Sequence, residues 1–197
     1  MNKFFSFVMV FSIIVLVCCK EQTDVIEPIS FRGVHTTVIL PAAADDNGIS
    51  SIMKKKLKEG FPGIIIMKSP EQGIASSDTG VIISTGRHIQ TETIIIVGIT
   101  RIDIGEPSYT KNRITETEYQ GILNRTSYIE GKMSIWDIYR SQMLGSYKAT
   151  FEDVEIHQMV ENEEDVARMK NLLKQDNEER EYLYRGIAER LLLNIKD

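Results

Sequence analysis

Thr93-Ile94-Ile95-Ile96-Val97-Gly98-Ile99-Thr100-Arg101-Ile102-Asp103-Ile104 decides the fold. Its first half is an unbroken β-branched run, the pattern of a strand buried on both faces. After Gly98, Ile102 and Ile104 alternate with Arg101 and Asp103, so the far end has one face in water. The stretch therefore belongs inside a sheet. Upstream, Val81-Ile82-Ile83-Ser84 reads as a second strand pairing beside it, and Ile64-Ile65-Ile66-Met67 as a short buried strand after the breakers Gly60, Pro62 and Gly63. Ile49, Ile52, Met53 and Leu57 fall on one helical face with Lys54, Lys55 and Lys58 off it, which predicts a helix ending at Gly60. Gly33 to Pro41 reads as the first strand, stopped by proline, and Ala42 to Gly48 as a turn.

Downstream, Gly105 to Arg113 reads as a polar loop. Thr115 to Ile129 predicts a long strand, which Glu130-Gly131-Lys132 turns back into Met133 to Tyr139, giving an antiparallel meander. From Glu161 the pattern is helical. Val166, Met169, Leu172 and Leu173 mark one face, and Leu183, Ile187, Leu191 and Ile195 recur every fourth residue. Asp176-Asn177-Glu178-Glu179 is either a capped helix start or part of one helix from about Glu161 to Ile195; the absence of Gly or Pro before Gly186 favours one long or kinked helix. The expected class is α+β: a mixed, mostly antiparallel sheet with an N-terminal helix and a long C-terminal helix on one face.

The first twenty residues, MNKFFSFVMVFSIIVLVCCK, set the location. Lys3 gives a positive start, Phe4 to Val17 is apolar apart from two serines, and Cys18-Cys19 closes the run. It is too short to span a bilayer comfortably and has the layout of a lipoprotein signal, the alternative being a short uncleaved anchor. Cutting after the small Cys18 makes Cys19 the lipid attachment. The expected organisation is a signal over 1–19, a tether over 20–32 and one α/β sandwich domain over 33–197. Lys20 after the modified cysteine lacks the aspartate that retains some lipoproteins in the inner membrane, so the outer membrane, periplasmic side, is the expected location.

Of the 197 residues, 42% are hydrophobic and 26% charged, an ordinary globular balance. Removing the signal leaves 22 basic residues against 28 acidic ones, a net of -6. That argues against nucleic acid as a partner. His35, His88 and His157 lie far apart without ligand spacing, so neither a metal nor another cofactor is expected. No G-x-S-x-G elbow, phosphate-binding glycine loop or free thiol remains in the mature chain. Asp45-Asp46 and Glu163-Glu164 read as solvated acids, Lys54-Lys55-Lys56 and Lys58 as a solvated helix face, and Asn124-Arg125-Thr126 as a coincidental glycosylation triplet. The chain is therefore expected not to be an enzyme.

The order of these features resembles the lipopolysaccharide-assembly lipoprotein family, LptE. The resemblance rests on the Cys18-Cys19 signal, the first strand and a helix ending Leu57-Lys58-Glu59-Gly60, and Val97-Gly98 within a strand. It continues with Glu118-Tyr119-Gln120 heading the next strand and Asp176-Asn177-Glu178 before a helix ending Ile187-Ala188-Glu189-Arg190-Leu191-Leu192. It implies a lipoprotein that plugs and stabilises an LptD-like outer-membrane barrel and assists lipopolysaccharide assembly. It also implies lipopolysaccharide contacts from Lys111, Arg113 and Lys174, expected on loops or a helix start where lysine and arginine can meet lipid A phosphates. Two other readings stay open: a lipid-anchored periplasmic regulator of peptidoglycan synthesis, and a ligand-binding lipoprotein of another role.

Cys19→Ala should abolish radiolabelled palmitate incorporation and leave an uncleaved or mislocalised precursor. Undiminished labelling would remove Cys19 as the attachment point.

Overall fold

The computed structural model describes residues 27–43, 47–68, 78–116, 119–161 and 173–196. Cys19, Asp45-Asp46 and Glu163-Glu164 lie outside them. The elements are β1 (Ile29–Ser30), β2 (Thr36–Pro41), α1 (Asn47–Gly60), β3 (Ile65–Ile66), α2 (Thr79–His88), β4 (Thr93–Ile104), β5 (Ser108–Arg113), β6 (Tyr119–Asp137), β7 (Gln142–Glu161), α3 (Asp176–Leu192) and β8 (Ile195–Lys196). The main sheet runs β3, β2, β4, β6. β5 continues along the edge of β6 that β4 leaves free, and β7 pairs with the opposite edge along almost its whole length. β2 is parallel to β3 and β4, and the remaining pairs of this sheet are antiparallel. The expected α+β class with a mixed sheet is what forms.

β4 is the buried strand its sequence predicts: Ile94, Ile95 and Val97 are fully buried, and Arg101 and Asp103 are exposed. One side carries α1 and α3, whose Ile49, Met53, Leu57, Leu183, Ile187 and Leu191 close over Ile39, Ile95, Ile129 and Met133. The opposite side carries α2, with Ile82 and Ile83 on Val38, Leu40, Ile94, Trp136 and Ile138. Each fully buried aliphatic side chain contributes about 1.5–3 kcal/mol, so β4 is held from both faces.

Several expectations fail, each for a physical reason. Val81-Ile82-Ile83-Ser84 is not a strand beside β4 but the middle of α2, where Ile82, Ile83 and Gly86 form a buried helical stripe. Asp78 caps it by accepting from the Gly80 N–H at 2.7 Å. A short apolar run does not by itself separate the two structures. Ile64 to Met67 is only a two-residue edge strand: Ile64 is buried, but Ile65 is 61% exposed. Residues 108–113, expected as loop, are β5.

Glu130-Gly131-Lys132 does not turn. It runs straight through β6, its three residues opposite Arg101, Ile99 and Gly98 of β4 in that order, and a Cβ on Gly131 would stand 2.9 Å from Ile187 Cγ1. The glycine admits α3 to the sheet. The reversal comes instead between Asp137 and Gln142, where Ser141 takes a φ of 53°. Glu161 ends β7 rather than opening a helix, and residues 173–175 are not helical, so one helix from Glu161 to Ile195 does not exist. α3 starts at Asp176, with the Glu178 carboxylate accepting from the Gln175 N–H at 3.1 Å, one residue earlier than the Asp176 cap expected. Ile195 belongs to β8, which pairs in parallel with Ile29–Ser30, and Phe31 is buried. Part of the stretch expected as a tether is thus body.

Leu191→Asp should unfold the body or cost more than about 4 kcal/mol, since it places an unpaired carboxylate in the shared core. An unchanged thermal midpoint would show that α3 is not docked.

Candidate functional site

Strand parity builds the site. Leu123, Arg125, Ser127 and Ile129 share the face of β6 that α3 covers, and all four are buried. Arg125 thus carries a charge into the core side, with its side chain only 4% exposed. It meets the Glu155 carboxylate of β7 at 3.2 Å, Glu179 of α3 at 3.5 Å and Asp176 at 3.4 Å, and donates to the Lys174 carbonyl at 2.8 Å. Glu179 is 1% exposed. The Lys174 ammonium adds Asp153 at 2.7 Å and Glu179 at 3.4 Å, and lies 4.1 Å from the centre of the Tyr182 ring. The imidazole of His157 approaches Glu155 at 3.1 Å.

Burial alone would lower the Lys174 pKa, but the hydrogen bond to Asp153 and the charges of Glu179, Asp153 and Glu155 outweigh it and hold the ammonium above its ordinary 10.5. Because the folded value is raised, its stabilisation is present through neutral pH and is lost only in alkali, as pH rises through that folded value. Among the described residues the network is not fully satisfied: Arg125 Nε, Ser127 Oγ and Glu179 Oε1 are buried without a hydrogen-bond partner there. Such a cluster is costly to bury, and its contacts tie the start of α3 to the β6–β7 pair. Beside it opens a cleft of 640 Å³ lined by Glu106, Pro107, Arg125 and residues 173–176. The geometry holds charge and position. Among the described residues, no group of three or more His, Cys, Asp or Glu side chains stands where it could hold a metal ion.

The three expected lipopolysaccharide contacts are not brought together. Lys111 and Arg113 are exposed on β5, not on a loop, opposite Gly121 and Tyr119. The Arg113 guanidinium donates to the Thr115 and Glu116 carbonyls at 3.0 and 3.2 Å. Register puts Gly121 four residues along β6 from Arg125, about 13 Å at strand rise. Lys174 does precede the terminal helix as expected, but its charge is committed to Asp153 and Glu179.

Arg125, read as part of a coincidental glycosylation triplet, and Glu179, read as part of a helix start, were not expected as site residues, although both left a signal. Arg125 has the same parity as Leu123 and Ile129, and Glu179 extends the stripe Leu183, Ile187, Leu191 by one step of four.

No protein-family model matches the sequence, and no curated protein matches it. Solved structures with a partly similar arrangement include a neuraminyllactose-binding hemagglutinin homolog from Helicobacter pylori, 11% identical, TM-score 0.44, covering 87% of this chain and 89% of that one. Lipoprotein GNA1162 from Neisseria meningitidis is 10% identical, TM-score 0.33, over 70% and 92%. The LpoB C-terminal domain from Salmonella enterica is 9% identical, TM-score 0.37, over 66% and 87%. These likenesses to bacterial proteins are too distant to assign a family.

Arg125→Met should cost about 3–5 kcal/mol, because Glu155 and Glu179 lose their buried counter-charge. A chemical denaturation midpoint equal to that of wild type would show that the carboxylates are neutralised some other way.

Proposed function

We propose that the chain is a non-enzymatic envelope factor, held to a membrane by lipid on Cys19, that docks on a protein partner through the far half of the β6–β7 ribbon. One observation carries this reading. Val154 and Ile156, 52% and 55% exposed, project from the ribbon on the face opposite α3, beyond the part covered by α2. Paired apolar side chains on a rigid strand, exposed in a body with well-buried cores, suit a protein contact. The Arg125 network stiffens the ribbon from behind by tying it to α3.

The partner that fits the resemblance is an LptD-like outer-membrane barrel, with Lys111 and Arg113 on β5 meeting lipopolysaccharide phosphates. A second reading, a tethered regulator docking on a peptidoglycan synthase, is favoured by the internal neutralisation of Lys174. That pairing removes one of the three cations the glycolipid reading called on.

Photo-crosslinking from positions 154 and 156 in intact envelopes should capture a barrel protein on the first reading and a penicillin-binding protein on the second. Capture of neither, with the lipoprotein correctly localised, would sink the docking surface. Lys111→Glu with Arg113→Glu should weaken binding of purified lipopolysaccharide at low salt without changing the fold, and the loss should shrink as salt rises. Unchanged binding would remove β5 as the glycolipid contact.

A further inference from the structure

We infer that the tip of the β6–β7 hairpin, together with the end of α2, is a membrane-contacting foot that rests on an anionic lipid surface. This rests on lipid attachment at Cys19. Tyr139 is 77% exposed and Met143 49%. Arg140 is 74% exposed, and Arg87 and His88, in the last turn of α2, are exposed beside it. Arg87 donates to the Ser141 hydroxyl at 2.9 Å, a neutral acceptor, so that bond leaves its charge uncompensated. Two acids lie at this end: Asp137, 3.8 Å from Arg140, offsets part of that arginine's charge, and the Glu92 carboxylate is drawn back onto the His35 and Thr36 N–H groups, so among the described residues Arg87 is the cation here with no acid among its hydrogen-bond partners. An exposed tyrosine and methionine flanked by cations suit the headgroup layer, where an aromatic ring sits at the interface and arginine meets lipid phosphate.

The chain's point of entry makes a membrane the occupant. Tyr147 donates to the Glu27 carbonyl at 3.1 Å, and Ile29 would lie 2.9 Å from a Cβ on Gly145. The chain therefore joins the body at the level of Gly145, only about 10 Å of strand from Gln142 at the hairpin turn. Seven residues lie between Cys19 and Glu27, and the eight residue steps reach no more than about 29 Å at full extension. The opposite end of β7, near Gln158, is about 40 Å from that entry point. Carboxylates outnumber cations there: Glu106, Asp153, Glu155, Asp176, Glu178 and Glu179 gather around Arg125 and Lys174, with Lys111 and Arg113 on β5. An anionic leaflet repels this far end and can receive the foot, where Arg87 meets lipid phosphate beside the exposed Tyr139 and Met143, so the ribbon stands with Val154 and Ile156 away from the lipid.

Because Cys19 carries the lipid and Cys18 leaves with the signal, one introduced cysteine is a unique labelling site. Tyr139→Cys and Val154→Cys would each be made in the full chain, matured in bacteria, labelled with an environment-sensitive nitrobenzoxadiazole and reconstituted into phosphatidylglycerol–phosphatidylcholine vesicles. The expected result is a blue-shifted emission at position 139 that is quenched by lipids spin-labelled near the headgroup, with a water-like, unquenched emission at position 154. Arg87→Glu with Arg140→Glu should reverse the shift at position 139 while flotation with the vesicles persists. Water-like emission at 139 in protein that floats, or equal quenching at 139 and 154, would overturn the foot and leave the anchor intact. Protein that does not float at all would overturn the anchor and the foot together.

Discussion

The structure depends on β6 being one uninterrupted strand of 19 residues. It is the element that pairs on both edges along most of its length, with β4 and β5 on one side and β7 on the other. Its inward residues Ile129, Met133 and Ile135 lie under the helices, and Trp136 packs against α2. A turn at Gly131 would sever all of these at once. Gly131 prevents that by lacking a side chain where Ile187 comes closest, so α3 can press on the strand without bending it.

The ion cluster follows from the same strand. Beyond Ile129, β6 outruns the apolar reach of α3, and the residues on the helix-facing parity become Ser127 and Arg125. A helix whose first turn is acidic then meets a strand whose far end is basic, and Glu155 of β7 closes the pair from beside. The arrangement favours the acids at the positive end of the α3 dipole as well. Its cost is visible in the three unpaired polar atoms. Its return is a fixed start for α3, and through α3 a fixed spacing between α1 and the β6–β7 ribbon, where Lys56 reaches Glu189 at 2.6 Å.

The ribbon also gives the molecule two unlike ends. One end collects the hairpin turn, the end of α2 and the entering chain; the other collects the carboxylates, β5 and the exposed valine and isoleucine. A net charge of -5 over the full sequence hides this division. Under the lipid attachment proposed at Cys19, the division would matter more than the sum, because the tether would fix which end meets lipid and which is presented to a partner.

The sequence by itself determined the elements whose periodicity was long: β2, α1, β4, and the stripe Leu183, Ile187, Leu191 that docks α3. Their burial follows from side-chain spacing, which is a local property. Tertiary structure decided the rest. Val81 to Ser84 became helix because the outer face of the sheet needed a cover, and a four-residue apolar run accepts either form. Glu130-Gly131-Lys132 stayed extended because glycine was needed for a close helix approach, a use of the residue that looks identical to a turn in one dimension. Lys174 became part of an internal network because the fold brings Asp153 and Glu155 to it from 21 and 19 residues away, and Glu179 from one helical turn on. Charge in a sequence reports that an ion exists; only the fold determines whether its counter-ion is already inside the protein.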